Sequence, residues 1–526
     1  DVPEVAARTD RMEIWFRRDA GLSSSAQKSQ GFSAVAVSEG DTRERPSETK
    51  VAVGQKTRQP IPPIRPPVSV ERKLLATGNL IRGLVVLASD QNELEEMSLE
   101  GEVQLLEQAT GGRQVEPRLN IRGDQLQLTR PTQFDAKAVV SGRPATVDSE
   151  QFSLKGPLIE FDRGQNRVAV DGGGQLTVPV ANAGVGLESF DLLGTGAQQA
   201  QPRKSTRAAQ PLIIDWQGRM DFDGQTARFV DRVQTASGAV TLQAGILECI
   251  FTNPVNFSSQ QSTVSSQQTD IGRITCGNGV QIRSASEADG KPSSVENLFV
   301  RDLFFNRFTG DVRGTGPGRL TSIRSGGGGL PMGTPGLPGQ PVQQQSAVSK
   351  SAEEAGVTFL GVDFQRGFVG NMNQRQMEFQ QRVETIWGPV DSWEDSLDLH
   401  DSKGLPDKAI AVTSDTLGIG QTPSVPGMPG RTIELSAGGN VLVEGDSFTA
   451  RSARLSFSEA KDLLVFEGDG RSDAQLFRQE RVGGPTSSAS AGKILYWRKY
   501  NRVEVKDARY LDLDQIGGAN MPQAPR

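Results

Sequence analysis

Three short sequence elements recur along this chain in the same order. A chain built from copies of one unit is confined to array-like folds, because each unit must cover the apolar face its neighbour leaves open. The first element is "FVDRVQTASGAV" (Phe229 to Val240), matched without a gap by "FQQRVETIWGPV" (Phe379 to Val390). The second is "ITCGNGVQI" from Ile274, matched by "LSAGGNVLV" from Leu435. The third, "FSLKGPLIEFDRGQNRVAVDGGG" from Phe152, aligns with "FTARSARLSFSEAKDLLVFEGDG" from Phe448. It sets Phe152 over Phe448, Phe161 over Phe457, Val168 over Leu464 and Val170 over Phe466, and closes both copies with Gly-x-Gly. A looser copy ends at Phe304 to Leu320. Ala7 to Trp15 also matches Ala489 to Trp497, so the chain is expected to begin partway through a unit.

Inside each unit, apolar residues alternate with polar ones, which places Leu455 with Phe457, Leu464 with Phe466, and Val168 with Val170 on single faces of short strands. Asp223-Gly224, Asn278-Gly279 and Asp469-Gly470 read as tight turns between antiparallel strands. Helical periodicity is confined to a weak candidate at Asn92 to Met97. The expected class is all-β.

Composition agrees: 35% of residues are hydrophobic, and the 526 residues include 59 Gly and 29 Pro, as β-structure with long, poorly ordered connections would have. The spacing of the elements predicts units at 67–180, 211–322 and 356–514, the last including the start of a further unit, after the end of a truncated unit at 1–20. Low-complexity linkers or loops are expected at 21–66, 181–210 and 323–355, with a flexible tail at 515–526.

Several classes of chemistry are disfavoured. The net charge of −6 comes from both signs spread along the chain, so no basic footprint for a phosphate backbone exists and no nucleic-acid partner is expected. "GTGPGR" (Gly314 to Arg319) lacks the Lys and Ser/Thr of a phosphate-binding loop, and the one histidine, His400, has no second His for a metal or catalytic role. Carboxylate pairs such as Asp221 with Asp223 and Asp391 with Asp395 are not distinguishable from solvated strand edges, and Arg122-Gly123-Asp124 is a three-residue coincidence unless it lies on a tip. Cys249 and Cys276 lie in apolar, strand-like runs, leaving open a disulfide or two buried thiols. No enzyme activity, cofactor or metal is expected.

The inward positions stand out: Phe152, Phe161, Val168, Val170, Phe222, Phe229, Val233, Phe304, Phe308, Phe364, Phe379, Val383, Trp387, Val441, Val443, Phe448, Leu455, Phe457, Leu464, Phe466 and Trp497. They either fill a closed core or line one that is open on one side.

The run from Leu435 to Leu476, followed by "SASAGKILYWRKYNRVEVKDA", resembles the OstA-like (organic solvent tolerance A) domain family of lipopolysaccharide transport proteins. The resemblance rests on a Gly-Asn-Val step, an Ala-x-x-(Ile/Leu/Met)-x-(Tyr/Phe/Trp) strand and a Gly-x-Gly turn. It implies tandem antiparallel β-jellyroll units, each a folded-over sheet with an apolar groove, stacked as an extended periplasmic array. It further implies that the inward residues shelter acyl chains of lipopolysaccharide or a related envelope lipid during transfer to the outer membrane. Other envelope transport proteins, or further copies of the chain, would join by edge-strand addition. The alternatives are a packed structural scaffold of the envelope and a polysaccharide-binding or polysaccharide-cleaving β-helix.

Overall fold

A computed structural model describes residues 4–18, 71–178, 211–325 and 357–511, with short interruptions inside the last three ranges and a longer one at 254–270. The predicted linkers and tail, and His400, lie outside the described residues, except that 323–325, expected to open a linker, complete a strand and bury Ile323. The protein is all-β. The first strands are β1 (Glu4–Arg18), β2 (Glu71–Leu87), β3 (Asn92–Thr110), β4 (Pro117–Thr129), β5 (Lys137–Ser149) and β6 (Ser153–Asp162). Next come β7 (Arg167–Asp171), β8 (Gly174–Val178), β9 (Leu212–Trp216), β10 (Arg219–Phe222), β11 (Thr226–Ser237), β12 (Val240–Phe251), β13 (Ile271–Gly277) and β14 (Val280–Ala288). They are followed by β15 (Lys291–Val300), β16 (Asp302–Asn306), β17 (Asp311–Thr315), β18 (Gly318–Ser325), β19 (Val357–Phe364), β20 (Gly367–Asn371) and β21 (Gln376–Val390). The chain closes with β22 (Ile410–Thr422), β23 (Thr432–Gly445), β24 (Phe448–Ser458), β25 (Leu463–Glu467), β26 (Ala474–Gln479), β27 (Thr486–Trp497) and β28 (Arg502–Leu511).

All 28 described strands belong to one hydrogen-bonded sheet that is folded over on itself. The fold line is visible in the pairing. β6 pairs with β7 through Leu158–Asp162 and with β8 through Ser153–Lys155, so its two halves serve different layers. β12 divides in the same way between β13 and β14, and β24 between β25 and β26. From β12 one branch runs β13, β16, β17, β20 and the other β14, β15, β18, β19; both rejoin at β21, closing a ring of ten paired strands. We call the layer containing β7, β10, β13, β16, β17, β20 and β25 the first sheet, and its counterpart the second.

Long strands pass from one layer to the other at a corner, where pairing shifts by a residue or two. The shifts fall at Thr77/Leu80, Glu100/Val103, Val230/Val233, Gln380/Val383 and Gly438/Val441. Such bulges bend a strand and raise its local twist. The expectation of uniformly short strands is therefore corrected: β3 has 19 residues because it crosses the corner. The helix candidate at Asn92 to Met97 is the start of that strand, since Leu94 and Met97 are held by the ladder to β2, which overrides weak local propensity.

Two of the three predicted tight turns are also corners. Asn278-Gly279 joins β13 and β14, which both pair with β12 rather than with each other, and Asp469-Gly470 sits likewise between β25 and β26. Asp223-Gly224 is a true hairpin between β10 and β11. β1 pairs with β2 in parallel, while every other described pairing is antiparallel; the intervening 52 residues (19–70) exceed what a parallel connection needs. Thus β1 does not reproduce the antiparallel setting of β27, the strand it resembles in sequence.

Candidate functional site

The interior between the two sheets is the candidate site. Because side chains alternate and the register is continuous, one inward position leads straight to the next across the whole array. On the first sheet such a row runs Met12, Ile81, Leu99, Leu126, Val140, Ile159, Val170, Met220, Phe229 and Leu247. It continues through Cys276, Leu303, Gly314, Phe368, Phe379, Leu417, Ala437, Leu455, Phe466, Ile494 and Val505. No polar side chain interrupts it, and at Gly314 the Phe368 ring occupies the space a Cβ would need. A second unbroken row beside it, farther from the corner, includes Phe161, Val168, Phe222, Cys249, Phe305, Val312, Phe457, Leu464 and Tyr496.

The second sheet answers with a row from Ala76 through Leu105, Ile121, Val147, Leu154, Leu176, Ile214, Thr235, Leu242, Ile282, Leu298 and Leu320. From there it passes Val362, Thr385, Val412, Val443, Ala450 and Leu476 to Ala489. Only two of these are hydroxyl residues, Thr235 and Thr385, which occupy the same place in the first repeated element.

The structure brings most of the predicted residues together. Val168, Val170, Phe222, Phe229, Val233, Phe364, Phe379, Val383, Val441, Val443, Phe448, Leu455, Phe457, Leu464 and Phe466 are all buried in one continuous core, and Phe152 and Phe161 pack against it half-buried. Trp387 is also half-buried, opposite Leu360 and Ile410 on the second sheet. Three predicted inward residues do not face the interior. Phe304 lies on the outer face with Arg273 5.7 Å from its ring, because Leu303 and Phe305 take the inward positions of β16. Phe308 is 70% exposed in the turn after that strand. Trp497 alternates with inward Tyr496 and carries the Arg502 guanidinium 5.3 Å from its ring.

Of the two readings left open for Cys249 and Cys276, the structure shows the buried thiols. Cys249 stands opposite Ile274 and Cys276 opposite Leu247, so the two are diagonal neighbours, whose Cα atoms lie about 7–8 Å apart, beyond the usual disulfide span. Both are buried free thiols. Burial pushes Cys249 up to about 12 and raises Cys276 as well.

The sheets close on each other by side-chain contact. Phe364 of the second sheet meets Phe368 and Phe379 of the first with ring centroids 5.9 and 5.2 Å apart. At the edge away from the corner, Phe448 meets Tyr496 at 5.7 Å, and Arg163 of the first sheet donates to Glu107 of the second at 3.2 Å. Between the sheets, only a small void of about 10 Å³ remains near Cys249, lined by Leu212, Ile214, Thr235 and Leu242 on one side and Leu247, Ile271 and Ile274 on the other. A trough of about 980 Å³ crosses Arg313, Val369, Glu378, Gly418, Ser436 and Ser456, outward positions of the first sheet, and mixes polar with apolar lining.

The alternative sites are accounted for by ordinary surface structure. Asp221 accepts from Arg219 and Arg167, and the Arg219 hydrogen bond holds its carboxyl below the usual range. Asp395 caps a turn by accepting from the Asp391 and Ser392 amides. Arg122 lies in a strand and pairs with Asp148, so the Arg-Gly-Asp triplet is not on a tip. Gly314 to Arg319 forms another corner, between β17 and β18. Among the described residues no group of three metal-ligating side chains occurs. No family model matches the chain, and no curated protein matches it significantly.

Proposed function

We propose that this protein is a non-enzymatic lipid carrier of the cell envelope, a tandem β-jellyroll array that shelters acyl chains of lipopolysaccharide or a related lipid between its sheets. The observation that carries this reading is the pair of unbroken apolar rows on the first sheet, running from Met12 to Val505 and beside it. A fourteen-carbon chain gains about 10 kcal/mol on leaving water, at about 0.8 kcal/mol per methylene. One isolated pocket of that depth would trap a lipid, whereas successive near-equal positions let it move. The layers are joined by continuous backbone only at the corner; at the opposite edge the described strands meet through side chains such as Phe448 with Tyr496. Entry of a chain requires that edge to part. The resemblance to the OstA-like family agrees with this reading and supplies its periplasmic setting and its envelope partners.

The close packing of Phe229, Phe364, Phe379 and Phe466, each under 2% exposed, favours a second reading, a closed structural scaffold. A photoreactive residue at Leu455, which faces the interior, and one at Ser456, which faces outward, separate the two. Lipid conjugated at position 455 and not at 456 is the carrier's result. Equal or no conjugation at both positions is the scaffold's.

A further inference from the structure

The two lips of the interior differ in chemistry. On the first sheet, the row nearest the open edge stays apolar, from Phe161 to Tyr496. On the second sheet, the corresponding row is mixed, setting Glu107, Ser237, Ser284, Glu296, Ser322 and Arg478 among apolar residues such as Val240, Leu360, Trp387 and Phe448. Glu296 is 4% exposed and is held by Arg324 at 3.0 Å, so this polarity is built into the interior. One step deeper on the same sheet stand Thr235 and Thr385.

The hydroxyls of Thr235, Ser237 and Thr385 have no hydrogen-bond partner although the residues are 4%, 1% and 6% exposed. A buried hydroxyl left unpaired is costly, and Thr235 and Thr385 hold the same place in the two copies of the first repeated element. Thr235 lines the void between the sheets. Each of these hydroxyls is a buried donor that lacks an acceptor.

We infer that the second sheet receives the acyl carbonyls of a bound lipid, through the Thr235 and Thr385 hydroxyls, while the first sheet receives its methylene chains. The inference rests on the carrier reading and adds an orientation to it: the ligand is an ester- or amide-linked lipid, held with its linkages toward the polar lip. An ether-linked lipid of equal length offers the same apolar surface and no carbonyl.

The test uses the full chain and two probes, dimyristoyl phosphatidylcholine and its di-O-tetradecyl ether analogue, with binding measured by native mass spectrometry and by competition. The parent is expected to prefer the ester by about tenfold, the worth of two neutral hydrogen bonds. In Thr235→Val/Thr385→Val the preference is expected to vanish while ether binding is unchanged. Equal binding of the two probes by the parent, or a preference that survives in the variant, overturns the orientation and leaves the carrier reading standing. Binding of neither probe by folded parent overturns the carrier reading, and the orientation with it.

Discussion

Thr235 and Thr385 illustrate how a single hydroxyl tests the interior. In the ligand-free chain each leaves an unpaired buried donor, so Thr235→Val should raise stability by about 1 kcal/mol, read as a higher urea midpoint. A lower midpoint would mean that the hydroxyl has a partner. Phe379 and Phe308 make a second contrast. Phe379→Ala empties a fully buried site and should cost about 3–5 kcal/mol, whereas Phe308→Ala at 70% exposure should stay within about 0.5 kcal/mol. The thiols add a pH dependence. Cys249 holds its proton up to about pH 12 in the fold, while the unfolded chain releases it near 9, so between these values the folded state binds more protons and stability falls as pH rises. Replacing Cys249 with Ala should flatten that fall by up to about 1.4 kcal/mol per pH unit, measured as the difference in unfolding free energy from the parent.

At the scale of elements, all three recurring sequence signatures are corners. Asp231-Arg232 and Gln381-Arg382 both adopt positive φ just before an inward valine, Val233 or Val383. Gly439-Asn440 and Asn278-Gly279 do the same before Val441 and Val280, and Gly172 and Gly470 close the third element. Alternation made the strands legible, because the period of two survives the bend. The corners were read as hairpins because a Gly-Asn step signals positive φ without saying which strand comes next to which. Likewise, "FFNRF" offered three phenylalanines, and only pairing with β13 and β17 decides that Phe305 is the inward one. At Gly439, φ is +75° and an added Cβ would fall 2.2 Å from Asp415 Oδ2. Gly439→Ala is therefore expected to cost about 1–3 kcal/mol, with Gly420→Ala, whose nearest neighbour would be 3.7 Å away, as the milder control.

At the scale of the molecule, the array works only if the inward rows are continuous, and continuity depends on keeping register across strands of unequal length. The corners serve that purpose by letting one strand supply both layers. β1, an edge strand, leaves Met12, Ile14 and Trp15 about half exposed, while Ile494 and Tyr496, the counterparts of Met12 and Ile14 on β27, are buried where β28 continues the sheet. The sequence match between the two ends was visible without the structure; the difference in burial was not, since it depends on which neighbour each strand finds. The central claim is that acyl chains lie between the sheets, and its most direct test is native mass spectrometry of the full chain after exposure to envelope lipid extract, beside Phe457→Asp/Phe466→Asp. Retention of multi-acylated lipid by the parent, and its loss from a variant that circular dichroism shows to be folded, is the predicted result. A folded parent that retains no lipid would contradict the account and leave the packed scaffold in its place.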